Sequence, residues 1–455
     1  MNKHYHFIGI GGIGMSGIAG LLLSRGQKVS GSDIKESPST RSLAQLGARI
    51  FIGHAASNIQ GADVIVYSSA IKEDNPEMRA ARAAGIPVHK RAQALAGLMQ
   101  DKKVICVAGS HGKTTTTSLV SHILIEAGLS PTLAIGGNFK NINTNAALGK
   151  GDHFVAEADE SDGSFLYYSP FYSIITNIDR EHLDHYKTFE AVVAAYKEFM
   201  GRTDTRGCLI ACGDDANLAR LCAGFSGRRL MFGLGKCNDV YAQDIELNGL
   251  RSSFECVFKG EKIGRFELSL AGTHNVSNAL SAVALSEELK IDRQITKKAL
   301  ATYKGAGRRM DLKWQSDNFT VIDDYAHHPT EIKATISAVR SLPCKRLVVV
   351  FQPHRYTRTA LLLEDFAGSF NSADKIILTD IYAASEEPLP GVDSAGVAAA
   401  IKKLSGDKDV TVVARKELFA YVRDSMAPGD IILTLGAGDI TRISDELACW
   451  LAGKI

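Results

Sequence analysis

The segment Gly109-Ser110-His111-Gly112-Lys113-Thr114-Thr115 carries the most specific chemistry in this chain. A glycine loop that runs into a helix start presents backbone N–H groups to anionic phosphate. Lys113 adds a point charge suited to β- and γ-phosphates, and the Thr114 hydroxyl suits Mg²⁺. The spacing is the short form of a phosphate loop, with Val107 where the longer form has its first glycine. A buried strand before the loop and a helix after it supply the context this chemistry requires.

A second glycine turn opens the chain: Gly9-Ile10-Gly11-Gly12-Ile13-Gly14, with Asp33 at the end of the next expected strand. Taken alone, this is the fingerprint of a dinucleotide site, Asp33 taking a ribose hydroxyl. It calls for a phosphate-bearing ligand without saying which. Ser68 and Ser69 leave another strand where sheet ligands bind, which makes them candidate diphosphate contacts.

Carboxylates crowd Glu157-Ala158-Asp159-Glu160-Ser161-Asp162, and like charges so close need a cation or solvent between them. Glu157, nearest the strand end, is the expected Mg²⁺ ligand. His182, within Asn177-Ile178-Asp179-Arg180-Glu181-His182, is a second ligand or an orienting group for the same phosphate site. Asn275 precedes a helix that it either caps or leaves free to touch adenine. Arg309, in Gly305-Ala306-Gly307-Arg308-Arg309, sits on a flexible joint from which it can swing onto a phosphate being transferred. Two further clusters, Asp323-Asp324-Tyr325-Ala326-His327-His328 and Pro353-His354-Arg355-Tyr356-Thr357-Arg358, leave strands of a third unit.

The elements that must position these groups read as apolar strands alternating with helices, the pattern of parallel sheets covered on both faces. Expected strands lie at 6–10, 27–30, 64–67 and 86–88, then at 104–107, 154–157 and 173–177. Those of the third unit lie at 321–323, 347–351, 376–378, 410–413 and 431–435. Helices are expected at 16–24, 118–127, 189–200 and 275–289. Short alternating pieces between 237 and 270 suggest antiparallel strands. The fold class is therefore α/β in three domains: an N-terminal Rossmann-like domain over 1–93, a central phosphate-loop domain with a mostly parallel sheet over 94–307, and a C-terminal Rossmann-like domain over 308–455.

A chain of 455 residues with 45% hydrophobic and 22% charged residues has apolar side chain enough for several cores. Its 52 basic and 50 acidic residues leave a net charge of +2, which gives no electrostatic case for nucleic acid as partner. None of the eight cysteines forms C-x-x-C, so reduced thiols in a cytoplasmic protein are expected. Residues 7–24 carry no charge, but six glycines make them strand, turn and helix rather than a membrane span. A nicotinamide-dependent oxidoreductase would use the Gly9–Gly14 turn. It would leave the phosphate loop and four other strand-end clusters without a role.

From end to end the chain resembles the Mur ligases of bacterial cell-wall synthesis, most closely the alanine-adding branch. The likeness is carried in order by GSHGKTTTT, EADESD, TNIDREHLDHY, DDYAHHPTE and FQPHRYTRT. It implies ATP-driven joining of L-alanine to the lactyl carboxylate of UDP-N-acetylmuramate, in peptidoglycan synthesis, with ATP and Mg²⁺ as cofactors. It implies that Lys113 and Thr114, within the loop 109–115, meet ATP phosphates and Mg²⁺, and that Glu157 and His182 are metal-site positions. Asn275 matches an adenine contact, Arg309 an interdomain γ-phosphate contact, and Asp324 a ribose or hinge contact. His327, Arg355 and Arg358 would line the alanine side, and Gly11, Gly12, Ile13 and Gly14 the UDP-sugar. Related ligases use a carbamylated lysine, and none is assigned here. A monomer or weak homodimer is expected.

Overall fold

The computed structural model describes residues 2–68, 70–406 and 408–453. Strands β1 (His4–Ile8), β2 (Lys28–Asp33), β3 (Arg49–Ile52), β4 (Val64–Tyr67) and β5 (Val88–Lys90) form the first sheet, in the order β3-β2-β1-β4-β5. All its pairings are parallel. The order reverses between β1 and β4, so their carboxyl ends open a crevice. The uncharged run 7–24 ends β1, turns at Gly9 with φ +80°, and continues as helix Ile13–Ser24. Among the described residues no helix is long and apolar enough to cross a membrane.

Strand β1 lies two residues earlier than expected, and the helix after it starts three residues earlier, because Ile10 belongs to the turn. Helix Arg91–Met99 was not expected; residue 93, taken as a domain boundary, falls inside it.

The second sheet holds β6 (Lys103–Ala108), β7 (Thr132–Phe139), β8 (Thr144–Ala147), β9 (His153–Glu157), β10 (Tyr172–Ile175), β11 (Cys208–Cys212), β12 (Arg229–Gly233), β13 (Val240–Asn248), β14 (Arg251–Phe258) and β15 (Glu261–Leu268). Their order is β15-β14-β13-β12-β11-β10-β6-β9-β7-β8. Strand β6 is flanked by β10 and β9, both parallel to it. The hairpin β7–β8 is antiparallel and was not foreseen, its polar Asn-rich turn masking the pattern.

Helix Lys113–Glu126 follows β6 and is buried from Thr114 through Leu124. Several of its hydroxyls are satisfied by bonding back along the helix: Thr117 to the Lys113 carbonyl (2.8 Å) and Ser118 to that of Thr114 (2.7 Å). Among the small hydroxylated residues that fill this enclosed helix, Thr116 Oγ1 is buried without a partner.

The third sheet comprises β16 (Asp311–Gln315), β17 (Phe319–Asp324), β18 (Arg346–Phe351), β19 (Lys375–Leu378), β20 (Asp409–Val412) and β21 (Asp430–Leu435), in the order β16-β17-β21-β18-β19-β20. Only β16 is antiparallel. Alternate residues face opposite cores: Val348, Val350 and Ile432 one, Val349, Phe351 and Leu433 the other. That explains the uninterrupted apolar runs. The chain packs as two compact units, residues 1–243 with 256–264 and 277–303, and residues 244–255 with 265–276 and 304–455. All eight cysteines are free thiols.

Candidate active site

Three adjacent strand ends build the phosphate loop's surroundings. Strand β6 ends at Ala108, and helix Lys113–Glu126 begins after four intervening residues. Between them Gly109 has φ +133°, and a Cβ there would collide with Thr176 Oγ1, so no other residue fits. The segment leaving β10 grips the loop. Asn177 Oδ1 accepts the His111 N–H (2.8 Å), Asp179 N–H donates to Ser110 Oγ (2.8 Å), and Asp179 Oδ2 lies 2.8 Å from His111 Nε2.

Lys113 Nζ donates to the Gly109 carbonyl (2.6 Å), the Ser110 carbonyl (3.1 Å) and Glu160 Oε1 (2.8 Å). Burial opposes its charge, but Glu160 and Asp159 outweigh that and hold its pKa above the ordinary lysine value. Glu160 is 1% exposed. Its Oε1 is also 3.4 Å from His182 Nε2, while its Oε2 is buried with no hydrogen-bond partner. Glu181 Oε2 lies 3.3 Å from the same imidazole nitrogen. Ligand atoms of Glu160, Glu181 and His182 all fall within 4.8 Å of one another. Burial pushes the His182 pKa down, but hydrogen bonds to Glu160 and Glu181 carry it up to about 9. His182 holds φ +57°, strained for a non-glycine residue, which turns its ring onto this group. Two carboxylates, an imidazole and an orphaned buried oxygen suit a hard divalent cation, with the Thr114 hydroxyl at the adjoining helix start.

The expected ligand Glu157 is not in this group. As the last residue of β9 it still obeys strand alternation, and its Oε2 accepts the Gly136 N–H of β7 at 3.0 Å. With Asp159 and Arg91 it lines a cavity of about 170 Å³ shared with Gly14 and Gly17. Glu160, three residues past the strand, is the carboxylate that meets Lys113. Four acids in six residues gave the sequence no means of choosing among them.

In the first sheet, the Gly9 and Ile10 N–H groups donate to the Ser32 carbonyl (2.8 and 3.0 Å), and the Gly11 N–H donates to Asp33 Oδ2 (2.8 Å). Asp33 thus braces the glycine turn itself. Gly12 precedes helix Ile13–Ser24, and Ile13 is exposed at its start. A Cβ on Gly14 would lie about 2.6 Å from Arg91 Nη1, so the guanidinium would have to shift to admit one. Arg91 pairs with Asp159 at 3.2 Å. Ser68 follows β4 and its Oγ accepts the Ala70 N–H (3.4 Å). Ser69 lies outside the described residues.

Asn275 is in the first turn of helix Thr273–Glu288, and its amide donates to the Ala271 carbonyl (2.8 Å). Asn278, one turn on, was overlooked: its Oδ1 would sit about 2.5 Å from a Cβ on Gly112.

In the third sheet, Arg308 is locked, reaching Asp323 (3.2 Å) and the Gly436 and Gly438 carbonyls (2.5 and 3.1 Å). Arg309 lies over the Tyr325 ring at 4.9 Å and 3.7 Å from Glu331. Buried Asp324 accepts the Met310 and Ala326 N–H groups (2.7 and 2.8 Å), yet burial lifts its pKa to about 6 despite Arg309. His327 and His354 meet edge to face at 5.6 Å. Arg358 donates to His354 Nδ1 at 3.2 Å, and Arg355 lies 3.5 Å from Glu386. The geometry gathers His327, Arg355 and Arg358 at the carboxyl ends of β17 and β18.

Comparison with known proteins agrees with this architecture. Residues 4–103 match the Mur ligase family catalytic domain, 107–286 the Mur ligase middle domain and 308–438 the Mur ligase glutamate ligase domain. The UDP-N-acetylmuramate–L-alanine ligase of Anaeromyxobacter dehalogenans is 48% identical over 446 residues, 98% of this chain and 97% of that one. That of Aquifex aeolicus is 48% identical over 445 residues, with 98% and 97% covered. Among solved structures, UDP-N-acetylmuramate-alanine ligase from Thermotoga maritima superposes with TM-score 0.85 at 30% identity, covering 100% of both chains. A murein peptide ligase from Psychrobacter arcticus gives 0.74 at 25% identity, covering 100% of this chain and 99% of that one. With three family domains in order, near-half identity to relatives over almost its whole length, and the three sheets described above, this chain belongs to the Mur ligase family.

Proposed function

We propose that this chain joins L-alanine to the lactyl carboxylate of UDP-N-acetylmuramate, driven by conversion of ATP to ADP and phosphate, in peptidoglycan synthesis. The observation that carries the reaction class is Lys113, anchored in a phosphate loop against Glu160, whose second oxygen is an unused buried acceptor. The choice of amino acid rests on the near-half identity to alanine ligases.

A carboxylate is a poor acyl donor, and its charge repels ATP. Lys113, held in place by two carbonyls and Glu160, presents a preformed positive charge to the β- and γ-phosphates. Glu160, Glu181 and His182, with Thr114, would hold Mg²⁺, which neutralises phosphate charge when bound. A lactyl oxygen attacks the γ-phosphorus, ADP leaves, and an acyl phosphate results. The neutral amine of alanine adds to its carbonyl, and phosphate departs from the tetrahedral species. The first domain, 1–93, seats the UDP-sugar on Gly11, Gly12, Ile13, Gly14, Asp33, Ser68 and Ser69. The central domain, 94–307, binds ATP through residues 109–115. The last, 308–455, offers His327, Arg355 and Arg358 to alanine. Asn275 serves adenine, Arg309 the γ-phosphate and Asp324 a ribose or hinge contact. We place the reaction in the cytoplasm, in a monomer or weak homodimer.

Phosphate release measured with each substrate omitted in turn tests this reading. Release that requires both UDP-N-acetylmuramate and L-alanine is expected. A higher kcat/KM for L-Ala-γ-D-Glu-meso-diaminopimelate than for alanine would make the chain a peptide-recycling ligase instead. Tight NADH binding without binding of the UDP-sugar would overturn the reading of the first domain.

A further inference from the structure

Beneath the first sheet lies a buried carboxylate that the chemistry above does not use. Glu77, in the first turn of helix Pro76–Ala83, is 0% exposed. Its Oε2 accepts the Ser32 hydroxyl at 2.6 Å and lies 3.5 Å from both His6 Nε2 and His54 Nδ1. Its Oε1 accepts from Asn58 Nδ2 (2.6 Å) and the Ala55 N–H (3.3 Å). His6 is itself fixed through Ser30, whose Oγ lies 2.8 Å from His6 Nδ1 and 2.8 Å from His4 Nε2.

A buried charge is a weak way to gain stability, since a well-packed apolar group of similar size often does as well. This carboxylate is instead spent on fixing neighbours. It gathers β1, β2, the 53–55 loop after β3, and Asn58 onto one point. Ser32 is the residue whose carbonyl takes the Gly9 and Ile10 N–H groups, and its neighbour Asp33 takes that of Gly11. The hydrogen-bonded path therefore runs from Glu77, through Ser32, to consecutive amides of the glycine turn.

We infer that Glu77 is a positioning residue for the UDP-sugar: acting through the Ser32 hydroxyl, it holds the glycine turn in its binding form without touching the ligand. The inference rests on the reading of this turn as the diphosphate seat. A turn already ordered before binding loses less freedom on complex formation, so the effect belongs in affinity for this one substrate.

The test uses the full chain, with Mg²⁺ and a non-hydrolysable ATP analogue present. UDP-N-acetylmuramate is titrated calorimetrically into the wild type, Glu77→Gln and Ser32→Ala, and steady-state constants are measured alongside. Loss of one charged hydrogen bond should raise Kd and KM for the UDP-sugar about tenfold in Glu77→Gln, and in the same direction in Ser32→Ala. The KM values for ATP and L-alanine, and kcat at saturating UDP-sugar, should stay within about twofold. Variants with a lowered Tm but wild-type affinity would make Glu77 purely structural and overturn the inference. Should Glu77→Gln fail to fold, Ser32→Ala decides alone, since it keeps the carboxylate, and wild-type affinity there overturns the inference. A wild type that does not bind the UDP-sugar at all would instead bring down the reading of the first domain, and this inference with it.

Discussion

Lys113 and Glu160 form a buried pair at 2.8 Å in which the carboxylate helps to keep the lysine charged, and removing either changes a different quantity. Lys113→Ala deletes charge stabilisation at the transferring phosphoryl group, so turnover should fall roughly 10²-fold or more in a folded protein, as steady-state assay will show. Glu160→Gln leaves Lys113 in place but weakens the candidate metal group. The Mg²⁺ concentration for half-maximal rate should rise about tenfold or more, while Glu157→Gln leaves it nearly unchanged. Equal shifts in the two variants would return the metal role to Glu157. The residue types of this site were legible from spacing alone: a lysine in a glycine loop, acids past one strand, a histidine past another. Which acid meets the lysine was not, because it depends on how the chain turns after β9, and nothing local in EADESD encodes that turn. Asn278 was missed for the opposite reason: an asparagine inside a helix carries no sign of the loop it abuts.

Among the elements, most strands buried on both faces were read to within two or three residues, since parallel sheets leave long apolar runs, but β11, buried throughout, was not read. Strands β3, β7, β8, β12 and β16 were not read either, being short, partly exposed or at a sheet edge, where alternation is weak. The network around Glu77 was equally invisible, because its members lie on β1, β2, a loop and a helix separated by dozens of residues. It does leave a signature in acid. Burial alone would raise the Glu77 pKa, but bonds from His6, Ser32 and Asn58 bring it down to about 2. A carboxyl group with a lowered folded-state pKa stabilises fully above its unfolded value, here 4.5, and loses that contribution as pH falls towards 2. Denaturant unfolding of the wild type between pH 5 and pH 2 should therefore show a loss of stability that Glu77→Gln lacks. The difference between the two proteins should shrink as the pH falls. His6 and His54 face the same carboxylate, so His54→Ala serves as a control for their share.

On the scale of the whole molecule, three sheets carry their polar clusters at their carboxyl ends, and the helix that follows the phosphate loop is enclosed over most of its length. Its residues from Thr114 to Leu124 are all buried, and the Thr117, Ser118 and Ser121 hydroxyls bond to its own carbonyls. Segments open to solvent by local fluctuation exchange their amide hydrogens quickly, while a fully enclosed helix exchanges only when its surroundings come apart. Amides 117–124 should thus be among the slowest to exchange in deuterated water, at rates that follow global unfolding and change little when nucleotide is added. The exposed start of helix Ile13–Ser24 should exchange far sooner, and slow on addition of the UDP-sugar. Exchange measured by mass spectrometry on peptides from both helices checks this. It follows that the phosphate loop is mounted on a platform with almost no motion of its own on the timescale of turnover. Whatever opening admits and releases nucleotide must then come from the parts around it.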